Sequence, residues 1–207
     1  MIGEIAPSPL EARTTSSRIQ LGLRVAAYSI GLIGSTTAVG ATAGSVGSVV
    51  SRTATIGGEN AHLWSMVVAI IALTCGMHEV AIIRLPFPDI FRQVPAEWRK
   101  YGRNVQALLY GLVLGMDLLT FVPYASFLVL LPLEALLGLK GGATLGAIYG
   151  LTRAALTLWG VLAAYRRRDA FSVAIRISRM TRVFHLLNGI ALAVVGEVLV
   201  GAALFAR

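Results

Sequence analysis

The chain has 207 residues, of which 56% are hydrophobic and only 14% charged. A soluble domain of this size carries about 25% charged residues, so the composition excludes an ordinary soluble fold and favours a membrane protein. The net charge of +8 would suggest a nucleic-acid partner in a soluble protein. Here the arginines sit between apolar runs, where they act as topology determinants, and no nucleic-acid partner is expected.

Residues 1–24 read as a cytoplasmic N-terminal arm, with Arg13, Arg18 and Arg24 and with prolines and charges throughout. The arm lacks an apolar signal-peptide core, so the first apolar run is expected to serve as an uncleaved insertion signal. Residues 25–207 read as a single transmembrane helical domain. Its apolar runs are Val25–Val50, His62–Ile83, Val105–Gly138, Gly141–Tyr165 and Val183–Ala206. Each reaches the ~20 residues that cross ~30 Å of hydrocarbon. The expected fold is all-α: a polytopic integral membrane protein with five transmembrane helices, in a bacterial or archaeal cytoplasmic membrane.

The first run is rich in hydroxyls (Ser35, Thr36, Thr37, Thr42, Ser45, Ser48). Such side chains bond their own helix backbone or line a polar cavity. The second run ends in Cys75, Met77 and His78. Cysteine and methionine favour soft metals such as Cu(I), which makes Cys75 and His78 weak metal candidates. Residues two apart point to different helix faces, so no metal and no cofactor are expected. A lone cysteine also excludes an intramolecular disulfide.

The third run is too long for one straight crossing, since ~34 residues would extend ~50 Å. Pro123 and Pro132 are the expected helix breaks, with the third helix broken near Pro123. Gly111 and Gly115 on this run, and Gly142, Gly146 and Gly150 on the fourth, recur every four residues. Small residues at this spacing let helix backbones approach closely, within one protomer or across a homo-oligomer.

Charge sets the topology. The loop after the second run carries Arg84, Arg92, Arg99, Lys100 and Arg103, and the loop after the fourth carries Arg166, Arg167, Arg168, Arg176, Arg179 and Arg182. With the arm, these put most basic residues on one side; Arg52, Lys140 and Arg207 fall on the other. The positive-inside rule predicts the N-terminus in the cytoplasm and the C-terminus outside. Trp64 at an outer boundary, and Trp98, Tyr101 and Tyr165 at inner ones, fit interfacial belts. Residues 166–182 alternate apolar and basic types, as a surface-lying amphipathic helix would.

Ionisable residues inside apolar runs cost ~2.5–3.5 kcal/mol or more if unpaired. Asp117, Arg153 and Glu197 are the candidates for a structural ion pair or an ion path. Asp117 and Arg153 both reach about the mid-plane and are expected to face each other, with Glu197 within snorkelling range of Arg153.

The sequence GMHEVAIIRLPFP, with Gly76, His78, Leu85, Pro86 and Phe87, resembles the transmembrane thiol–disulfide electron carriers of the CcdA and DsbD type. LYGLVLGMDLLTFVPYASF then places Pro123 at that family's proline and Tyr124 where its reactive cysteine stands, and YGLTRA (Tyr149–Ala154) resembles a later span. The resemblance covers ~80 residues. It implies an inverted pair of three-helix repeats with broken helices. The second cysteine is absent, and a thiolate is the obligatory nucleophile in thiol–disulfide exchange. The expected role is therefore a non-enzymatic membrane subunit or scaffold with a CcdA-like fold, partnered by other membrane subunits. The alternative is a small-molecule or ion transporter using Asp117, Arg153 and Glu197.

Overall fold

The computed structural model describes residues 15–53, 61–85, 96–116, 125–167, 175 and 178–205. They form five α-helices: α1 (Thr15–Thr53), α2 (Ala61–Glu79), α3 (Arg103–Gly115), α4 (Ser126–Arg167) and α5 (Thr181–Phe205). A short 3-10 turn, Ala96–Lys100, precedes α3. No strand occurs among the described residues. Four helices are long and apolar enough to cross a membrane: α1, α2, α4 and α5.

The third apolar run does not form one helix. Its first part is α3, whose 13 residues extend only ~20 Å. Its second part opens α4, which is joined to the fourth run through a corner at Gly138. Gly138 has φ 69° and ψ −177°, a left-handed backbone that glycine adopts without steric cost. The corner is sharp. A Cβ on Gly142 would lie 3.1 Å from the Glu134 carbonyl oxygen, whereas residues eight apart in an unbroken helix are separated by ~12 Å. The junction of the third and fourth runs is thus a one-residue corner just before Lys140. Pro132 is accommodated inside α4. Pro123 lies outside the described residues, as do Tyr124, Pro86, Phe87 and most of 166–182 beyond Arg167.

The chain divides into two compact units. The first takes residues within Met1–Thr36, Phe91–Thr120 and Ala147–Thr181, and the second those within Thr37–Ile90, Phe121–Gly146 and Arg182–Arg207. Helices α1 and α4 each contribute one end to each unit.

In the first unit, Tyr28 and Leu32 of α1 pack with Ala107 of α3 and with Ala154 and Val161 of α4. The helices meet through glycine. A Cβ on Gly111 would collide with the Tyr28 carbonyl and lie 2.9 Å from the Leu32 amide nitrogen. Gly115 meets Leu32 and Ser35 in the same way, and Gly150 meets Ile33 and Thr36.

In the second unit, Ala72 and Cys75 of α2 pack with Ala125, with Val129 of α4 and with Leu192 of α5. Gly142 backs onto Gly40, and Gly76 of α2 backs onto Gly189 of α5. Gly146, completing the α4 ridge, is buried. The glycine positions therefore mark contacts within the protomer. Backbone-to-backbone packing of this kind supplies the van der Waals contact that holds apolar helices together where the hydrophobic effect does not.

The hydroxyls of α1 bond their own helix. Ser35 donates to the Gly31 carbonyl (2.8 Å) and Thr36 to the Leu32 carbonyl (3.0 Å). Thr42, Ser45 and Ser48 do likewise at 2.7 Å. These hydroxyls satisfy their donors locally, so the structure gives no support to a polar lining along α1.

Candidate functional site

Helix α3 stops at Gly115 and α4 starts at Ser126. Each cut end exposes backbone groups without intrahelical partners. At the end of α3 these are carbonyls, bearing a partial negative charge; at the start of α4 they are amides, bearing a partial positive one. Where water cannot reach them, each unsatisfied group costs several kcal/mol. The chain meets each end with a side chain of the opposite charge.

In the first unit, half-buried Arg153 of α4 donates from one guanidinium nitrogen to the carbonyl oxygen of Leu114 at 3.0 Å. Its guanidinium also sits 5.4 Å from the ring centre of Tyr149, within cation–π range. A planar, permanently charged group with several donors suits both contacts at once.

In the second unit, Glu79 closes α2 and is buried. One carboxylate oxygen accepts the amide N–H of Ala125, at the entry to α4. The other meets Nδ1 of His185 on α5. Glu79 thus ties three helices together. The end of α2 is itself closed by Ala81, whose φ of 64° is left-handed, with the Ile82 amide bonded to the Met77 carbonyl at 2.9 Å. This is the Schellman pattern with alanine where glycine is usual. His78 extends the closure: its Nδ1 accepts the Leu85 amide at 3.0 Å, which leaves Nε2 to carry the proton when the ring is neutral.

Of the sequence candidates, Arg153 takes a helix end as its described partner. Asp117, its expected counterpart, lies outside the described residues. Glu197 is exposed on α5, in the second unit. Cys75 is buried in the core of that unit, while Met77 is 39% exposed. Among the described residues, no three of His, Cys, Asp and Glu cluster as metal ligands would.

Sequence reasoning passes over Glu79 and Glu134, although both stand inside apolar runs. That position was the available signal. A second carboxylate, Glu134, is only 1% exposed and its Oε2 has no hydrogen-bond partner among the described residues.

No family model matches the chain, and no solved structure matches it. It is similar over part of its length to methylamine utilization protein MauF of several bacteria. The Methylophilus methylotrophus protein is 31% identical over 87 residues, covering 41% of this chain and 30% of that protein. The Paracoccus versutus protein is 42% identical over 55 residues, covering 26% of this chain and 20% of its own length. The Methylobacillus flagellatus protein is 40% identical over 55 residues, covering 26% and 19% respectively. The chain thus spans less than a third of the length of these relatives. The expectation of a non-enzymatic chain is overturned by these relatives, whose shared name ties them to methylamine utilization.

Proposed function

We propose that this chain is an integral membrane component of a bacterial amine-utilisation system, acting with partner proteins at the cytoplasmic membrane. The observation that carries the reading is the similarity to methylamine utilization protein MauF in several bacteria, 31% over 87 residues in one of them. Apolar helices α1, α2, α4 and α5 support the membrane location.

In this reading the chain crosses five times, N-terminus inside and C-terminus outside. The third crossing is made of α3 and the opening of α4, and the basic loops stay in the cytoplasm as the positive-inside rule demands. The CcdA-like framework of broken helices belongs to the same proposal. Its support is the interruption between α3 and α4, with the two cut ends met by Arg153 and Glu79.

Deleting the coding sequence from a bacterium that grows on methylamine tests the reading. Growth on methylamine is expected to fail while growth on another carbon and nitrogen source persists. Undiminished growth on methylamine overturns it. Mild-detergent purification from native membranes is expected to bring partner chains along.

A second reading, passage of a small molecule or ion, draws on the same interruption, because broken helices place charge and polar backbone at membrane depth. Asp117, Arg153 and Glu197 would serve it. Arg153 then has two tasks, since it also holds the end of α3. Uptake into proteoliposomes, measured for wild type and Arg153→Lys, tests it: no uptake by either removes the reading.

A further inference from the structure

Glu134 lies on the opening segment of α4, two residues after Pro132 and four before the corner at Gly138. It is among the largest fully buried side chains in the protein, at 1% exposure. Its Oε1 lies 2.9 Å from where a Cβ on Gly40 would sit. The side chain therefore fills space left by the absent side chain of α1, against a backbone with which Gly142 is also in contact. Its Oε2 has no hydrogen-bond partner among the described residues.

An ionised carboxylate so placed would be the costliest arrangement available to the fold. Burial of a charge is tolerated when it is paired or coordinated, and intramembrane carboxylates behave in the same way. From the elements packed against Glu134, α1 brings Gly40 and the far side of the corner brings Gly142. Glu79, the other buried carboxylate of this unit, is engaged by Ala125 and His185. Glu134 Oε2 has no such engagement among the described residues.

We propose that Glu134 is the carboxylate of a small monovalent-cation site in the second unit, its Oε2 taking a proton or an alkali-metal ion. Both neutralise the group. The site does not depend on either functional reading above, because a cation can be bound without being transported. The corner at Gly138 and Pro132 flank the site.

Infrared difference spectroscopy on the full-length protein in detergent, wild type against Glu134→Gln, tests the proposal. It is paired with thermal unfolding in sodium and in choline salts. For a bound proton, wild type shows the carbonyl band of an un-ionised carboxylic acid, which Glu134→Gln loses. For an alkali ion, wild type instead gains melting temperature in sodium over choline, and Glu134→Gln loses that gain. Glu134→Asp, which keeps the carboxyl group on a shorter stem, retains the signal with a shifted midpoint in pH or sodium. The proposal is overturned if wild type shows only ionised-carboxylate bands with no sodium effect, or if Glu134→Gln keeps whichever signal wild type shows.

Discussion

Arg153 donates to the Leu114 carbonyl oxygen across 3.0 Å, setting a permanent cation against the negative end of α3. The contact joins two helices of the first unit and satisfies a group that the helix itself leaves open. Arg153→Met is expected to lower stability by about 1–3 kcal/mol, the range for a lost hydrogen bond to a charged group in a buried setting. Arg153→Lys is expected to recover part of that, since it restores charge but neither the planar fork nor the contact with Tyr149. Unfolding in mixed detergent measures both. Equal stability of the methionine variant and wild type would remove the contact from the account.

Glu79 performs the matching task at the entry to α4. Glu79→Gln keeps an oxygen for the Ala125 amide but gives up the charge, whereas Glu79→Ala leaves that amide and His185 without it. The expected order of stability is wild type, then glutamine, then alanine, with the alanine variant down by about 3 kcal/mol. His185→Ala combined with Glu79→Ala is expected to cost less than the sum of the two single changes, because the residues share one contact. Additive losses would contradict it.

Glycine positions divide sharply by what surrounds them. Gly111→Leu forces α1 and α3 apart at Tyr28 and Leu32 and is expected to cost at least about 1–3 kcal/mol, the usual range for overpacking. Gly34 has nothing within 4 Å of a built Cβ, so Gly34→Ala is expected to be neutral or stabilising by about 0.5–1 kcal/mol. Thermal unfolding of the pair side by side checks the contrast.

Ala81 holds a left-handed backbone with φ 64°, a conformation that costs an alanine about 1–2 kcal/mol. Ala81→Gly is therefore expected to raise the melting temperature. A fall would mean that the alanine methyl makes a packing contribution larger than the backbone strain.

Much of the framework was legible because its signals are local. Apolar runs gave α1, α2, α5 and the body of α4, since run length and charge exclusion need no tertiary context. At Gly111, Gly142 and Gly150 a built Cβ meets the backbone of α1. The corner at Gly138 was harder to see. Two apolar runs meet there with only Leu139 and Lys140 between, and a left-handed glycine needs no loop. Glu79 and Glu134 were missed for a different reason. Attention to depth favoured Asp117, Arg153 and Glu197, while what distinguishes Glu79 is the helix end and histidine it meets 46 and 106 residues further along the chain. Sequence spacing carries no record of such meetings.

Five crossings with both basic loops inside remain the claim on which the membrane account rests. Single cysteines at Lys100, Lys140 and Ser178, in a Cys75→Ser background, probe it with a membrane-impermeant maleimide on intact cells. The account predicts labelling at position 140 alone, with positions 100 and 178 reacting only after the cells are permeabilised. Labelling of position 178 on intact cells would contradict it.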